Sequence, residues 1–569
     1  MAQPIFPFTT GAHMEGYNAD EPYSNADSDT IRYFVWVETD YDTDGDGKLD
    51  LVKALVQMPR AAAEGDFKAA TIYEARPYIT GCTNRAFGYG DGGELSWDPY
   101  TNKVGTNGLA YRNSAESVID DWASAEDFVN AADASDWYYM NPFEDMMDYE
   151  DLEWYDYYLV RGFAVVECGG LGTRDSEGYE SCGANIEIDA FKCVIEWLNG
   201  KEGRKAYTDK NATTEVEAYW SNGKVGMTGR SYAGTTQFGL ATTGVEGLET
   251  IVPVAGISSW YEYTNSQGIA TRSGTNGIAY TNTLAAYCAG RYLDSEQAES
   301  RYYSRNYDDT YGDYKRTDDF ETIREDYSNF LGQLQAQQLE LNGDYSSADH
   351  PENDTWIIRD YTLDADQINC SALIVHGLND YNVRPKMFEQ MYDAFKVNNN
   401  EVKLLLHQDG HLTPTYPAGG YVFDIGEDTY DELLNRWFCY YLYDVDNDAN
   451  KIPEVIAQDS HEVGKWNTYK SYDTSKYLNF AAGEGADEET TTITSEYSAN
   501  GITRQNWQQK MSEGATPVSA FYTMEVEDDF TIKGSATVSF TATTTNVEKD
   551  AAVFEMMDMD ESVSEDPAG

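Results

Sequence analysis

Residues 224–239 read Lys-Val-Gly-Met-Thr-Gly-Arg-Ser-Tyr-Ala-Gly-Thr-Thr-Gln-Phe-Gly, and this stretch decides the fold class. The residues before Gly229 are typical of the end of a buried strand, and those after Gly234 are typical of the start of a helix. Ser231 lies on the turn between them, where small neighbours allow the backbone to fold tightly. Such a turn exposes a serine hydroxyl above the sheet. The pattern predicts a nucleophile elbow, although glycine and serine also cluster in ordinary turns.

A nucleophilic serine needs a base to take its proton and an acid to orient that base, and two later strand ends supply both. Asp380 follows an apolar run that begins at Ala372, and His411 follows a run that begins at Val402. Open α/β sheets bind their ligands at the carboxyl ends of such strands. The order Ser231, Asp380, His411 is also the order of the α/β-hydrolase triad. We therefore predict these three residues as the catalytic triad.

Two other histidines compete with His411 for the role of the base. His376 and His407 each lie inside or at the end of an apolar run, where a packed strand residue is the simpler interpretation. His411 lies beyond its strand and directly after Gly410, so that a loop can carry it over the sheet. The sequence therefore favours His411.

Several blocks of the chain resemble the X-prolyl dipeptidyl aminopeptidases, serine peptidases related to bacterial cocaine esterase and α-amino-acid ester hydrolases. The blocks are residues 223–232, 241–249, 255–261, 376–383 and 407–411. The resemblance implies an α/β-hydrolase that acts as a serine exopeptidase and needs no cofactor. Such an enzyme releases N-terminal X-Pro dipeptides through an acyl-enzyme intermediate, so its partners are peptides with proline at the second position.

Elbow geometry and the resemblance together predict an oxyanion hole and a proline pocket. The backbone N–H of Tyr232 is one oxyanion donor by elbow geometry, and the resemblance implies that the Tyr78 hydroxyl is the other. A substrate proline has a fixed φ and no N–H, so a flat pocket with aromatic walls suits its ring. The resemblance implies that the pocket and its substrate contacts are formed by Trp260, Tyr263, Tyr232, Val383 and Asn382.

One departure from the family keeps a second enzyme class open. The family places an acid for the substrate amine in its cap, but residues 272–282 contain none, and the substitute candidates are Glu262 or an acid from the long acidic insertion after Tyr78. An esterase or amide acylase of the same superfamily is therefore the alternative function. A non-catalytic binding or adhesion protein is a third reading, against which the complete triad argues.

The chain is long enough for several domains. We expect an α/β-hydrolase core formed by residues 1–258 and 351–445, with a helical cap inserted at 259–350. From residue 452 to 569 the sequence becomes rich in Thr, Ser and Val with period-2 alternation, which predicts a C-terminal β-sandwich, jelly-roll-like by the resemblance.

Composition excludes several classes of partner. The net charge is −60, which would repel nucleic acid and anionic membranes. The sequence lacks an apolar run of about 18 residues, so we expect no membrane insertion. Its N-terminus has no basic region before an apolar core, so no signal peptide is expected in it as given. The acidity favours a secreted or cell-surface location over a cytoplasmic one, and a homodimer is kept open.

Residues 42–53 match the first part of a calcium loop. Asp42, Asp44, Asp46 and Asp50 occupy positions 1, 3, 5 and 9, but Lys53 stands where a bidentate glutamate is needed. We favour a plain acidic turn and expect no metal. The chain also has seven cysteines, among which the two that flank a glycine-rich loop are candidates to pair: Cys168 and Cys182.

Overall fold

The structure is a computed structural model, and the part of the chain that it describes is discontinuous. It comprises residues 23–24, 30–43, 45–77, 103–104, 158–159, 161–172, 176–265, 354–414, 430–462, 465–472 and short segments between 492 and 518. The chain divides into two compact units, Met1–Lys470 and Ser471–Gly569.

Most of the described strands of the first unit belong to one sheet of eleven strands. The thirteen strands are β1 (Tyr23–Ser24), β2 (Thr30–Glu38), β3 (Leu51–Pro59), β4 (Ala69–Ala75), β5 (Lys103–Val104), β6 (Ala164–Cys168), β7 (Ala206–Tyr207), β8 (Ser221–Arg230), β9 (Leu248–Val254), β10 (Ser371–Gly377), β11 (Val402–His407), β12 (Val455–Gln458) and β13 (Trp466–Tyr469). Strands β1 and β5 form a separate antiparallel pair.

The large sheet is parallel in its centre and antiparallel at its edges. Its order is β13-β12-β11-β10-β9-β8-β4-β6-β3-β2-β7. The strands from β12 to β6 in this order pair in parallel, whereas β13 and the β3-β2-β7 edge pair antiparallel. Strands β4, β10 and β11 are buried along their whole length. Central parallel strands are covered on both faces, which explains why these segments read as continuous apolar runs.

Seven α-helices and three 3₁₀ helices accompany these strands in the described residues. They are α1 (Arg60–Ala63), α2 (Asn185–Asn199), α3 (Tyr232–Ala241), α4 (Trp260–Thr264), α5 (Asp354–Ile357), α6 (Lys386–Val397) and α7 (Tyr430–Tyr443), with 3₁₀ helices at Tyr361–Gln367, Ala449–Lys451 and Ser498–Asn500. Helix α7 packs on the sheet, where the indole N–H of Trp437 donates to Thr250 Oγ1 at 2.8 Å. None of the helices in the described part of the chain has the length and apolar composition required to span a bilayer.

The predicted α/β core is confirmed, and one domain boundary is corrected. Strands β12 and β13 lie in the range 452–569 that we assigned to a C-terminal β-sandwich, but they extend the main sheet beyond β11. The second unit begins at Ser471 instead. Its described residues include the 3₁₀ turn at Ser498–Asn500, and most of the predicted sandwich lies outside the described residues. The same holds for most of the predicted cap, from 266 to 353.

Candidate active site

Ser231 lies between the end of β8 and the start of α3, as the sequence predicts for an elbow. Its φ of 63° and ψ of −118° are rare for a residue with a side chain, so the backbone is strained here. Two hydrogen bonds hold this conformation. The Ser231 N–H donates to Val254 O at 2.9 Å, and the Thr235 N–H donates to Ser231 O at 2.9 Å.

The small residues around Ser231 are required by close backbone contacts. Gly229 has a φ of +154°, and a Cβ at this position would lie 2.6 Å from the Cβ of Ala233. A Cβ at Gly234 would lie 2.6 Å from Val254 O. A side chain at either position would therefore push α3 away from β8 and β9 and move the serine.

The predicted acid and the predicted base are hydrogen-bonded to each other. His411 Nδ1 lies 2.7 Å from Asp380 Oδ2. The other carboxylate oxygen of Asp380, Oδ1, accepts from the backbone N–H groups of Asn382 and Val383 at 2.8 and 2.9 Å. Asp380 is 2% exposed, and burial alone would raise its pKa. The hydrogen bond and charge of His411 and the amide donors prevail and hold the pKa of Asp380 below its ordinary value.

The second ring nitrogen of His411 is buried and has no hydrogen-bond partner among the described residues. The elbow reaches the same loop, because the guanidinium of Arg230 lies 3.5 Å from the carbonyl oxygen of His411. The structure thus brings Asp380 and His411 into direct contact and connects the residue before Ser231 to the histidine loop. This arrangement leaves one imidazole nitrogen available to accept a proton.

The competing histidines are buried in neighbouring strands. His376 in β10 has Nε2 2.8 Å from Val383 O, and burial lowers the pKa of His376 to about 4. His407 in β11 is buried as well, and burial lowers its pKa to about 4 despite the opposing effects of Asp409, Asp380 and the backbone of Leu412. Both rings are therefore neutral near neutral pH.

The residues predicted for the proline pocket lie together. The ring of Trp260 is 5.4 Å from that of Tyr232 and 5.7 Å from that of Tyr263, with both pairs edge to face. The Tyr263 hydroxyl donates to Asn382 Oδ1 at 3.1 Å, and Val383 is buried beside it in the chain. Tyr78 and residues 272–282 lie outside the described residues.

Glu262, the candidate acid for a substrate amine, already has a cationic partner. It lies in the first turn of α4, and one of its oxygens is 2.8 Å from Lys386 Nζ. The positive charge of Lys386 offsets the carboxylate, so Glu262 is a weaker candidate for binding an amine than the sequence suggested.

The acidic turn uses its carboxylates to hold its own backbone. Asp42 accepts from the N–H groups of Gly45, Asp46 and Gly47 at 2.7, 3.1 and 2.9 Å. Asp50 Oδ2 accepts from the N–H and hydroxyl of Thr43 at 2.8 and 2.6 Å. These bonds stabilise the backbone of the turn. Asp44 lies outside the described residues.

A second acidic group contains Asp40, Cys193 and Glu196, whose ligand atoms converge. Arg204 lies among them, with its guanidinium 3.0 Å from Asp40 and 2.5 Å from Glu196. The carboxylates of this group are thus neutralised by arginine.

The predicted pairing of Cys168 with Cys182 in a disulfide is wrong, because both are buried free thiols.

Sequence reasoning missed two buried glutamates that contact Tyr232. Glu180 lies in the loop after β6, and Glu187 lies in the first turn of α2. The hydroxyl of Tyr232 is within 3.2 Å of both. The one signal in the sequence was a glutamate on the apolar side of an amphipathic helix.

Comparisons with known proteins bear on the family of the chain. Residues 44–413, more than half of the chain, match the model of the X-Pro dipeptidyl-peptidase (S15 family). The Xaa-Pro dipeptidyl-peptidase of Ligilactobacillus salivarius (strain UCC118) is 34% identical over 460 residues, which are 79% of this chain and 51% of that protein. The corresponding protein of Pediococcus pentosaceus is 33% identical over 444 residues, covering 78% of this chain and 48% of the relative.

The chain spans about half the length of these curated relatives. Among solved structures, a CocE/NonD family hydrolase from Staphylococcus aureus covers 78% of this chain and 59% of its own, with a TM-score of 0.41 and 16% identity. An α-amino acid ester hydrolase gives a TM-score of 0.39 and 15% identity over the same shares. On the extent of the family match, the chain belongs to the S15 family of X-Pro dipeptidyl-peptidases.

Proposed function

We propose that this protein is a serine exopeptidase that releases N-terminal X-Pro dipeptides from peptides. One observation carries the proposal. His411 is hydrogen-bonded to Asp380 at 2.7 Å through Nδ1, its Nε2 has no hydrogen-bond partner among the described residues, and Ser231 lies on a strained elbow. This is the arrangement that a Ser-His-Asp hydrolase needs, and the family match supports the peptide substrate.

The proposed reaction begins when the Ser231 hydroxyl attacks the carbonyl carbon of the substrate proline, whose amide bond to the next residue then breaks. His411 Nε2 takes the serine proton, and the resulting imidazolium donates to Asp380 through Nδ1. The same proton then passes to the leaving amine, and water releases the dipeptide from Ser231 by the reverse sequence. Asp380 stays ionised throughout, in keeping with the direction of its pKa shift.

The oxyanion would be stabilised by the Tyr232 N–H and the Tyr78 hydroxyl. Tyr232 is the first residue of α3, so its N–H has no acceptor within the helix. The positive end of the helix dipole adds to the attraction for a developing negative charge. We retain Tyr78 as the second donor on the resemblance alone.

The proline ring of the substrate would lie among Tyr232, Trp260, Tyr263 and Val383. The edge-to-face contacts among the three aromatic rings give these walls a fixed geometry. Asn382 is oriented by the Tyr263 hydroxyl and by its own backbone bond to Asp380, which suits it to bind the substrate backbone.

An esterase or amide acylase is the second candidate function. It is favoured by the lack of an acid in residues 272–282 and by the pairing of Glu262 with Lys386.

The proposal also includes a helical cap within 259–350, a β-sandwich in the second unit and a homodimer. Analytical ultracentrifugation would test the last of these.

Hydrolysis of Gly-Pro and Ala-Pro p-nitroanilides would test the proposal, with N-acetylated versions and Ser231→Ala as controls. We expect turnover of the free-amine forms only, abolished in Ser231→Ala. Turnover of simple acyl esters without any X-Pro activity would favour the esterase instead. Full activity of Ser231→Ala would overturn both candidate functions.

A further inference from the structure

Two fully buried glutamates enclose the hydroxyl group of Tyr232. Glu180 is 1% exposed and Glu187 is 0% exposed. The Tyr232 hydroxyl lies 2.8 and 3.0 Å from the two oxygens of Glu187, and 3.2 Å from Oε1 of Glu180. Neither glutamate takes part in the reaction proposed above, so their burial next to the elbow requires an explanation.

Backbone amides fix both carboxyl groups in place. Glu187 Oε2 accepts from the Gly183 N–H at 2.5 Å, and Glu180 Oε1 accepts from the Cys182 N–H at 2.9 Å. Cys182 and Gly183 have φ values of 55° and 78°, so both lie in the left-handed region, which is unfavourable for a residue with a side chain such as Cys182. The strained loop and the first turn of α2 therefore present two acids to one tyrosine.

The geometry indicates that one of the two glutamates, Glu180 or Glu187, is protonated. A phenol has one proton to donate, so Tyr232 can donate to only one of two ionised carboxylates. If Glu180 is protonated, it can donate in turn, and the three groups satisfy one another. Burial raises the pKa of both glutamates, and for Glu180 the negative charge of Glu187 raises the pKa further.

Three other titratable groups of the described residues face this cluster. The Arg359 guanidinium donates to the carbonyl oxygens of Cys182 and Ser181 at 2.9 and 2.6 Å, and its charge favours ionisation of Glu187. The Tyr361 hydroxyl donates to Gly183 O at 2.8 Å, and the third group is the Cys182 thiol. The charge of Arg359 thus acts on Glu187, so we assign the proton of the pair to Glu180.

The cluster is connected to the proposed proline pocket by the same loop. The Trp260 indole lies against Gly183, where an added Cβ would be 2.1 Å from Nε1. The Trp260 Nε1–H donates to the Tyr361 hydroxyl at 3.1 Å. One hydrogen-bonded network therefore contacts the side chains of both Tyr232 and Trp260.

We propose that Glu180 and Glu187 are positioning residues that share a proton and clamp the hydroxyl of Tyr232. The clamp keeps the backbone N–H of Tyr232 aimed at the oxyanion and keeps its ring in the pocket wall. This inference rests on the proposed serine-hydrolase function. When alkaline pH removes the shared proton, the two carboxylates repel each other, and the reaction slows while Ser231 and His411 are intact.

The test is the pH profile of labelling by a fluorophosphonate, which reports on the serine without any assumption about substrate. The wild type should lose labelling rate on an alkaline limb. Glu180→Gln mimics the protonated acid, so it should label within about threefold of wild type at neutral pH and lack that limb. Tyr232→Phe should label about tenfold more slowly because it loses a hydrogen bond to a charged group.

Tyr392→Phe is the matched control, since Tyr392 donates to the carboxylate of Glu454 in another part of the molecule. We expect it to affect melting temperature without changing the pH profile. An alkaline limb that is identical in Glu180→Gln and wild type would overturn the clamp, and so would equal labelling rates for the Tyr232 and Tyr392 variants. If Glu180→Gln does not fold, the two tyrosine variants decide. An unlabelled wild type would instead refute the proposed function.

Discussion

Asp380 and Glu187 are both almost completely buried, at 2% and 0% exposure, yet their environments drive their charges in opposite directions. Asp380 faces an imidazole and two amide donors, and its pKa is lowered. Glu187 also has partners that favour its charge, among them Tyr232 and Arg359, but there burial prevails and the pKa is raised. Burial disfavours the charge of both acids, so the balance between burial and the partners decides the outcome.

The two environments suit different tasks on the two sides of the elbow. An acid that stays ionised can stabilise the imidazolium that forms during acyl transfer. An acid pair that retains a proton can fix a side chain without adding a second negative charge near the oxyanion. The predictions below test this division, beginning with the largest effect.

Asp380→Asn should lower kcat on an X-Pro anilide by about 10⁴-fold, because the amide no longer accepts from His411 Nδ1 and the wrong tautomer is favoured. The measurement is steady-state kinetics at neutral pH. Asp366→Asn, at an exposed position, is the control and should leave kcat unchanged. A loss of less than tenfold in Asp380→Asn would remove Asp380 from the triad.

His407 is a buried group at which burial outweighs its acidic neighbours Asp409 and Asp380. Its folded-state pKa is about 4, below the ordinary 6.5, so between these pH values the unfolded chain binds a proton that the folded protein does not. Stability therefore falls as pH drops from about 7 towards 4, and His407 contributes about 3 kcal/mol to that loss.

His407→Gln should accordingly flatten the dependence of unfolding free energy on pH between about 7 and 4. Denaturant unfolding at a series of pH values measures this slope, which separates titration from any constant packing cost. His461→Gln changes an exposed histidine and should retain the wild-type slope. An unaltered slope in His407→Gln would show that burial does not depress this pKa.

The three triad residues could be predicted from the sequence because the signals that identify them are local. Ser231, Asp380 and His411 each follow an apolar run, and parallel strands bring such ends to one edge of the sheet. The chain order of the three residues then limits their roles. The structure adds the direct contact between Asp380 and His411, which no local pattern contains.

The clamp behind Tyr232 could not be predicted in the same way. It depends on the left-handed backbone of Cys182, and on a helix that buries Glu187 rather than exposing it. Both features are set by packing between distant segments. The boundary near 452 failed for a related reason, since alternation predicts a strand but does not say which sheet it joins.

Gly183→Ala should destabilise the protein more than Gly200→Ala. The two glycines have nearly equal φ values, 78° and 79°, so the backbone strain of an alanine is matched at about 1 kcal/mol. A Cβ meets nothing within 4 Å at Gly200 but meets the Trp260 indole at Gly183. The additional cost should be about 2 kcal/mol, as for other overpacked sites.

Chemical denaturation of the two glycine variants gives this difference, and kcat/KM on an X-Pro anilide shows whether Trp260 has moved. We expect a several-fold loss of kcat/KM for Gly183→Ala alone. Equal stability of the two variants would mean that the contact between Trp260 and the loop is not maintained in solution.

The smallest expected effect concerns Tyr263, which is, like Tyr232, a tyrosine of the proposed proline pocket. Its hydroxyl donates to Asn382 Oδ1 at 3.1 Å, so Tyr263→Phe frees the amide that would bind the substrate. The loss of one neutral hydrogen bond should raise KM by about three- to tenfold, with kcat nearly constant. Tyr219→Phe, whose hydroxyl donates to Ala63 O at 3.0 Å, is the control. The division between the two sides predicts a change in KM at Tyr263 and a change in kcat at Tyr232, and a fall in kcat without a rise in KM at Tyr263 would contradict it.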